Sequence, residues 1–326
     1  MKKILVLIFL SIAAVSCYED YIFDYDYTAI YFPYQVDVRT FVVGEGMKIQ
    51  VGAALGGVRS NTRDREVTFE LDNALVDNAL QLKMRAASAY IKDYTPDPAV
   101  TAVLPMPASY YTLTNTSSMV IKSGQHMGSI YVKADSANFL GDPLTINAQY
   151  VIPFSMLTAD ADTILESKRT AAIGFRYENM LFGKYWHGGS ALVNRPAKAD
   201  TTYNYFTTIP VAESKIWTLK TASPNTLYAN GYFDQTTTKN EMLLTLDGTS
   251  VTITEQVGST FPITAEGTSS FNRAKLLQER KIFLKYTYTN TVNGYTYHCT
   301  DTLTFRNRIR DGINEWQDEN PSHYTK

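Results

Sequence analysis

The sequence lacks most of what metal centres, covalent frameworks and membrane spans are built from. It has two cysteines, Cys17 and Cys299, and four scattered histidines, His126, His187, His298 and His323, none of them in a His-Glu-x-x-His or Cys/His cluster. No metal-ligand pattern follows, and one intrachain disulfide is the most the chain could form. There is no Gly-x-Ser-x-Gly elbow and no glycine loop shaped to cradle phosphate, so neither a serine hydrolase nor a nucleotide cofactor is indicated. No cofactor and no metal are therefore expected. Past residue 17 no apolar run reaches the roughly 20 residues of a membrane-spanning helix. With 30 basic against 32 acidic residues and a net charge of −2, nucleic acid finds no basic face to bind.

What is present starts at the first residue. Met1, Lys2 and Lys3 make a short basic start, residues 4–12 form an apolar run too short to cross a bilayer, and Ala13-Ala14-Val15-Ser16-Cys17 closes it with small residues before a cysteine. This is the pattern of a secretion signal ending in a lipobox, with an ordinary signal peptide as the alternative. Residues 1–16 are expected to be removed and Cys17 to carry lipid, which takes away the one possible disulfide. Three acyl chains exceed the two signals that stable membrane attachment requires. Residues 17–27 then read as a tether in which Glu19, Asp20, Asp24 and Asp26 alternate with tyrosines. Acidic residues directly after a lipidated cysteine resemble the surface-export signal of Bacteroidetes-type lipoproteins. The resemblance implies an outer-membrane, lipid-anchored protein facing the cell exterior, and a plain solvated linker is the other reading.

Aromatic residues make up 13% of the chain, with 23 Tyr and 15 Phe, and they favour strands. In residues 28–177, strands are expected at 28–33, 48–55, 66–71, 118–122, 129–133, 146–154 and 170–177. They are separated by turn signals such as Gly44-Glu45-Gly46 and Gly141-Asp142-Pro143. Seven short strands predict an immunoglobulin-like β-sandwich. Residues 73–90 have helical spacing and predict an inserted helix, followed by a loop through Pro96, Pro98, Pro105 and Pro107.

In residues 178–326, strands are expected at 184–193, 203–209, 215–220, 226–228, 241–246, 250–256, 281–288 and 295–305. Asp247-Gly248 and Asn293-Gly294 mark hairpins. Eight strands predict a closed antiparallel barrel, with a second β-sandwich as the alternative. Gly183-Lys184-Tyr185-Trp186 and a terminal Arg306 or Arg308 resemble the Gly-x-Trp and arginine pairing of lipocalin-like barrels, one residue too long. The chain thus reads as mainly β, a sandwich followed by a lipocalin-like barrel.

Sugars present flat C–H faces that rest on aromatic rings. Trp217, Tyr228, Tyr232, Phe233 and Trp316 fall in or near loops and strand ends, and they are the candidate ligand-binding residues, with core packing as the alternative for each. Trp186 is assigned to the barrel frame. No catalytic residues are assigned. Asp160, Asp162 and Glu166 are the nearest approach to a glycosidase carboxylate set, and they read as loop charge. Cys299, in a predicted strand, reads as a packed thiol. Four triplets, at Asp135, Asp162, Asp200 and Asp301, resemble the O-glycosylation sequon of Bacteroidetes exported proteins.

Tyr31-Phe32-Pro33, residues 36–40, Asn61, Val67-Thr68-Phe69, Tyr150-Val151-Ile152-Pro153 and the ending 305–316 together resemble a group of two-domain Bacteroidetes surface lipoproteins of uncharacterised function. The first domain is similar to the module that precedes some family-18 endoglycosidases. The resemblance implies a role in polysaccharide utilisation and supplies no catalytic residues. The expectation is a non-enzymatic surface lipoprotein that binds or presents a glycan or polysaccharide, held to the membrane by its lipid. The alternatives are a structural subunit that binds outer-membrane transporter components, and a glycosidase.

Overall fold

The structure, a computed structural model, describes residues 27–205, 215–233, 241–274 and 276–316. The signal, Cys17 and all but the last residue of the tether lie outside the described residues, as do positions 206–209 of one expected strand. The chain divides into two compact units. The first comprises residues 27–39, Lys48–Phe139 and Asn147–Phe175; the second comprises Thr40–Met47, Leu140–Ile146 and the described residues from Arg176 onward. Among the described residues no helix is long and apolar enough to cross a membrane.

The first unit is a β-sandwich. Its strands are β1 (Ala29–Tyr31), β2 (Val36–Val42), β3 (Lys48–Gly56), β4 (Arg65–Leu71), β5 (Leu104–Pro105), β6 (Tyr111–Leu113), β7 (Ser118–Ile121), β8 (Met127–Ala134), β9 (Tyr150–Ala159), β10 (Thr163–Ile164) and β11 (Thr170–Glu178). One sheet has the order β10-β1-β3-β8-β6, and the other has β2-β11-β9-β4-β7 with β5 added to β9. Ile49, Val51, Ala53 and Leu55 of β3 point inward and their neighbours outward, as a half-buried strand requires. In the core, the rings of Phe32 and Phe69 pack on Phe154 at 6.3 and 5.6 Å, Phe69 from the neighbouring strand of the same sheet.

The second sheet is covered on its far face as well. Val38, Val151 and Ala172 meet Met84, Ile91, Val103 and Ala148 there, so β9 and β11 are buried on both sides and lose their alternation. The covering layer comes from the segment where one helix is expected. It is instead a 3₁₀ turn (Asn73–Leu75) and two short helices (Asn78–Arg85 and Ala89–Tyr94). Asp77 Oδ1 accepts from Leu80 N at 2.7 Å and Ser88 Oγ from Ile91 N at 3.4 Å, so each side chain starts a new helix. Strand β2 is an addition to the expected set, although Val36-Asp37-Val38-Arg39 carries the period-2 signal.

The second unit is a closed barrel. Its strands are β12 (Gly183–Asn194), β13 (Thr201–Tyr205), β14 (Lys215–Ser223), β15 (Thr226–Ala229), β16 (Met242–Asp247), β17 (Ser250–Glu255), β18 (Ile263–Ala265), β19 (Ser269–Phe271), β20 (Lys281–Asn290), β21 (Tyr295–Arg310) and β22 (Ile313–Glu315). The order β12-β14-β15-β16-β17-β19-β20-β21 returns on itself, because β21 pairs with β12 from Lys184 and Asn307 to Asn194 and Thr296. Closure leaves no open edge in this ring and excludes the second-sandwich alternative. Both expected hairpins form, with Gly248 at φ 60° and Gly294 at φ 70°.

Alternation sets what fills the barrel. Tyr185, His187 and Ala191 of β12, Trp217 and Leu219 of β14, Ile282, Leu284, Tyr286 and Tyr288 of β20, and Cys299, Asp301, Leu303 and Phe305 of β21 are all buried. The extra residue in Gly-x-x-Trp turns the indole outward. Arg306 covers Trp186 at 4.8 Å on the outer face, and Tyr185 takes the inward place, edge-on to Phe305 at 5.6 Å.

The base of the barrel is tied by charge. Arg308 Nε meets Glu315 Oε2 at 2.5 Å, Arg310 Nη2 meets Glu315 Oε1 at 2.6 Å, and Arg280 Nη2 meets Glu45 Oε1 at 2.8 Å. Burial works to raise the Glu45 pKa, but Arg308, Arg280 and Arg310 outweigh it and hold the carboxyl below its usual range.

Candidate functional site

The other end of the barrel, where β12 and β20 end and β21 begins, is built from rings over a buried carboxylate. One cross-strand row explains the arrangement: Tyr205 of β13 lies opposite Gly189 of β12, which lies opposite Asp301 of β21. Gly189 has φ 143°, and a Cβ there would sit 2.1 Å from Thr300 O. Only glycine fits this close approach of the β12 and β21 backbones, and across it the Tyr205 phenol reaches the carboxylate.

Asp301 is the centre of the polar cluster. Its Oδ1 accepts from the Tyr205 hydroxyl, its Oδ2 accepts from the Tyr286 hydroxyl at 2.7 Å, and His187 Nε2 lies 3.0 Å from Oδ2. Burial, followed by the charge of Asp301, pushes both phenols far above their ordinary pKa, so both stay protonated as donors. The Tyr286 oxygen in turn accepts from the backbone N–H of Phe233 at 2.8 Å. His187 also stacks on Trp217, with centroids 4.0 Å apart and planes 17° from parallel.

Above this floor the rings converge. Phe233 packs at 5.1 Å from Tyr205, 5.6 Å from Tyr297 and 6.3 Å from Tyr203. Tyr297 stacks on Tyr288 at 4.6 Å with planes 3° apart, and Tyr232 lies 5.1 Å from Tyr288. Tyr203 is 48% exposed although it faces the same side as buried Ala191, so it stands at the rim. Phe233 and Tyr205 are half-buried. The end is therefore a mouth of stacked rings with hydroxyl edges.

The five aromatics chosen from the sequence are scattered by this geometry. Phe233 lies in the mouth and Tyr232 is beneath it, fully buried, its hydroxyl donating to Phe261 O at 2.6 Å. Trp217 is fully buried as well, because it shares the inward phase of β14 with Leu219; the expected exposure of Trp217 and Tyr232 is corrected. Tyr228 is half-buried and alternates with the inward Leu227 and Ala229, which puts it on the outer wall. Trp316 is 58% exposed at the end of the described chain.

Tyr203, Tyr205, Tyr297, His187 and Asp301 were not among the candidates. Their signal is phase: a charged residue in register with Cys299 and Leu303, and a histidine in register with Tyr185, fall on an inward row. The same phase places Asp301 of one sequon-like triplet inside the barrel, while its hydroxyl residue Thr302 alternates to the outer face. Cys299 is a buried member of the barrel core.

The first unit offers a shallow polar pocket of about 460 Å³ lined by Ser60, Thr62, Arg63, Arg65, Asp160 and Asp162 among others. Its charged groups serve as struts. Asp162 Oδ2 accepts from Thr28 N at 2.7 Å and Thr28 Oγ1 at 2.5 Å, and Arg65 Nη1 donates to Asp160 O at 2.6 Å. The Thr28 hydrogen bonds hold the Asp162 pKa below its ordinary value.

Residues 25–163 match a family model described only as a "-like, N-terminal domain". No curated protein matches the chain. A crystal structure at 2.40 Å of a structural-genomics protein of unknown function from Bacteroides ovatus aligns with a TM-score of 0.65 at 21% identity, covering 90% of this chain and 98% of that one. A second, also of unknown function and from Bacteroides ovatus, gives a TM-score of 0.44 at 14% identity over 89% of this chain and 100% of that one, and is too distant to inform the fold. This chain thus shares its fold with the first of these proteins, itself of unknown function.

Proposed function

We propose that this chain is a lipid-anchored outer-membrane protein facing the cell exterior, and that its barrel binds a glycan without cleaving it, in the service of polysaccharide utilisation. The observation that carries the binding half is the mouth: exposed Tyr203 and half-buried Tyr205 and Phe233 set ring faces side by side, with the Tyr203 hydroxyl at the rim, over buried Tyr297 at one end of a packed barrel. Ring faces match the C–H faces of a sugar, and hydroxyl edges match its polar rim. The anchoring half rests on the lipobox that ends at Cys17.

Glycan arrays and affinity electrophoresis across plant and host polysaccharides test the binding half. Retardation by at least one polysaccharide is expected, and no retardation by any would overturn it. Co-purification with a transporter in the absence of glycan affinity would replace it with a partner-binding role. Protease shaving of intact cells tests the placement, since a protein left untouched faces the periplasm.

A further inference from the structure

We infer that Asp301 is the positioning residue of the barrel mouth, setting the pose of Tyr205 directly and of Phe233 through the Tyr286 hydroxyl. The inference rests on the glycan reading of the mouth and deepens it, by naming the buried group that holds the rings ready.

Phe233 supplies the first argument. Its φ is 37°, in the left-handed region that a bulky residue seldom adopts, and such a conformation persists only where its surroundings fix it. The fixing contacts are visible: its N–H donates to the Tyr286 oxygen at 2.8 Å, and Lys215 Nζ reaches its carbonyl at 3.5 Å. Tyr286 is fully buried, so its hydroxyl has no water to turn to, and its proton is committed to Asp301 Oδ2. Phe233 is therefore held by a two-step relay from one carboxylate.

Tyr205 supplies the second. Among the described residues its strand β13 pairs only with β12, yet its phenol reaches across Gly189 to Asp301 on β21. The ring that results is 5.1 Å from Phe233 and 4.9 Å from His187. Two rings from separate segments thus share one anchor, and neither is anchored by the ligand it would meet. A platform fixed beforehand loses less freedom when a sugar settles on it.

His187 and Trp217 complete the support. The imidazole lies flat on the buried indole with its Nε2 3.0 Å from Asp301 Oδ2, so it packs beside the carboxylate while the two phenols supply its hydrogen bonds.

The test uses the full chain and two variants that remove one oxygen each, Tyr286→Phe and Tyr205→Phe. Amide hydrogen exchange at Phe233, compared with exchange at buried Leu284, reads the relay without any ligand. We expect Tyr286→Phe to speed exchange at Phe233 at least tenfold more than at Leu284, and exchange at Phe233 that speeds no more than at Leu284 would overturn the relay. Affinity electrophoresis in a polysaccharide that retards the wild type reads the second half. Both variants should lose about tenfold in affinity although every ring remains, and retardation equal to wild type would overturn the positioning role. If no polysaccharide retards the wild type, the glycan reading fails, while the exchange result still decides the relay.

Discussion

The two ends of the barrel bury charge in opposite ways. At the base, Glu45 and Glu315 are matched by Arg280, Arg308 and Arg310, and the network ties chain segments that are far apart in sequence. At the mouth, the single carboxylate of Asp301 is met by neutral phenols and one imidazole, and those partners lead outward to half-exposed rings. Arginine forks bind carboxylates strongly and from fixed directions, which suits a clasp. Phenols bind one at a time and carry a ring with them, which suits a platform. The difference indicates that one end is made to hold the fold and the other to present a surface.

Substitutions can break that contrast, and the base should yield most. Arg308→Ala removes the buried guanidinium shared by Glu45 and Glu315, which keep Arg280 and Arg310, and is expected to destabilise the barrel by about 3–4 kcal/mol in chemical denaturation. Gly189→Ala should follow, at about 3 kcal/mol, because the new methyl would meet Thr300 O at 2.1 Å. Its damage should extend to the mouth, since the methyl would also sit 2.8 Å from the Cα of Asp301.

Acid should weaken the base of the barrel. The Glu45 pKa is lowered in the fold, so its contribution is complete above the unfolded value near 4.5 and is lost as pH falls through the folded one. Melting temperature measured against pH should therefore fall on the acid side in the wild type, and Glu45→Gln should flatten that limb. An unflattened limb would assign the acid response to other groups.

Tyr286→Phe should cost about 1–3 kcal/mol, the penalty for a buried N–H left without its acceptor and a carboxylate short of one donor. The smallest effect is expected at Trp316. Exposed and distant in sequence from the ring cluster, its change to Ala should shift stability by less than about 0.5 kcal/mol and leave glycan retardation as it is.

Much of the fold was legible because strands announce themselves by period and turn. The hairpins at Gly248 and Gly294 and the inward set Ile282, Leu284, Tyr286 and Tyr288 needed nothing beyond alternation and turn chemistry. Phase also dictated where Trp186 would point, since one extra residue after Gly183 exchanges inside for outside. The site was less legible. Trp217 looks like a strand-end ligand residue until its register with Leu219 is counted, and Tyr232 enters the core through the turn at Gly231, which no periodicity describes. Asp301 meets Tyr205 across 96 positions of sequence and through an intervening strand, a relation that only barrel closure creates. The helical layer was misjudged for a local reason: Asp77 and Ser88 cap short helices where apolar spacing alone suggests one long helix.

The proposal that sugar rests at the mouth meets its most direct test at one rim residue. Tyr203 is 48% exposed and its hydroxyl has no part in the Asp301 cluster, so Tyr203→Ala should leave the melting temperature within about a degree or two of wild type. Affinity electrophoresis of this variant, in whichever polysaccharide retards the wild type, should show retardation reduced about tenfold. Full retardation with an intact fold would contradict the assignment and move the binding surface elsewhere.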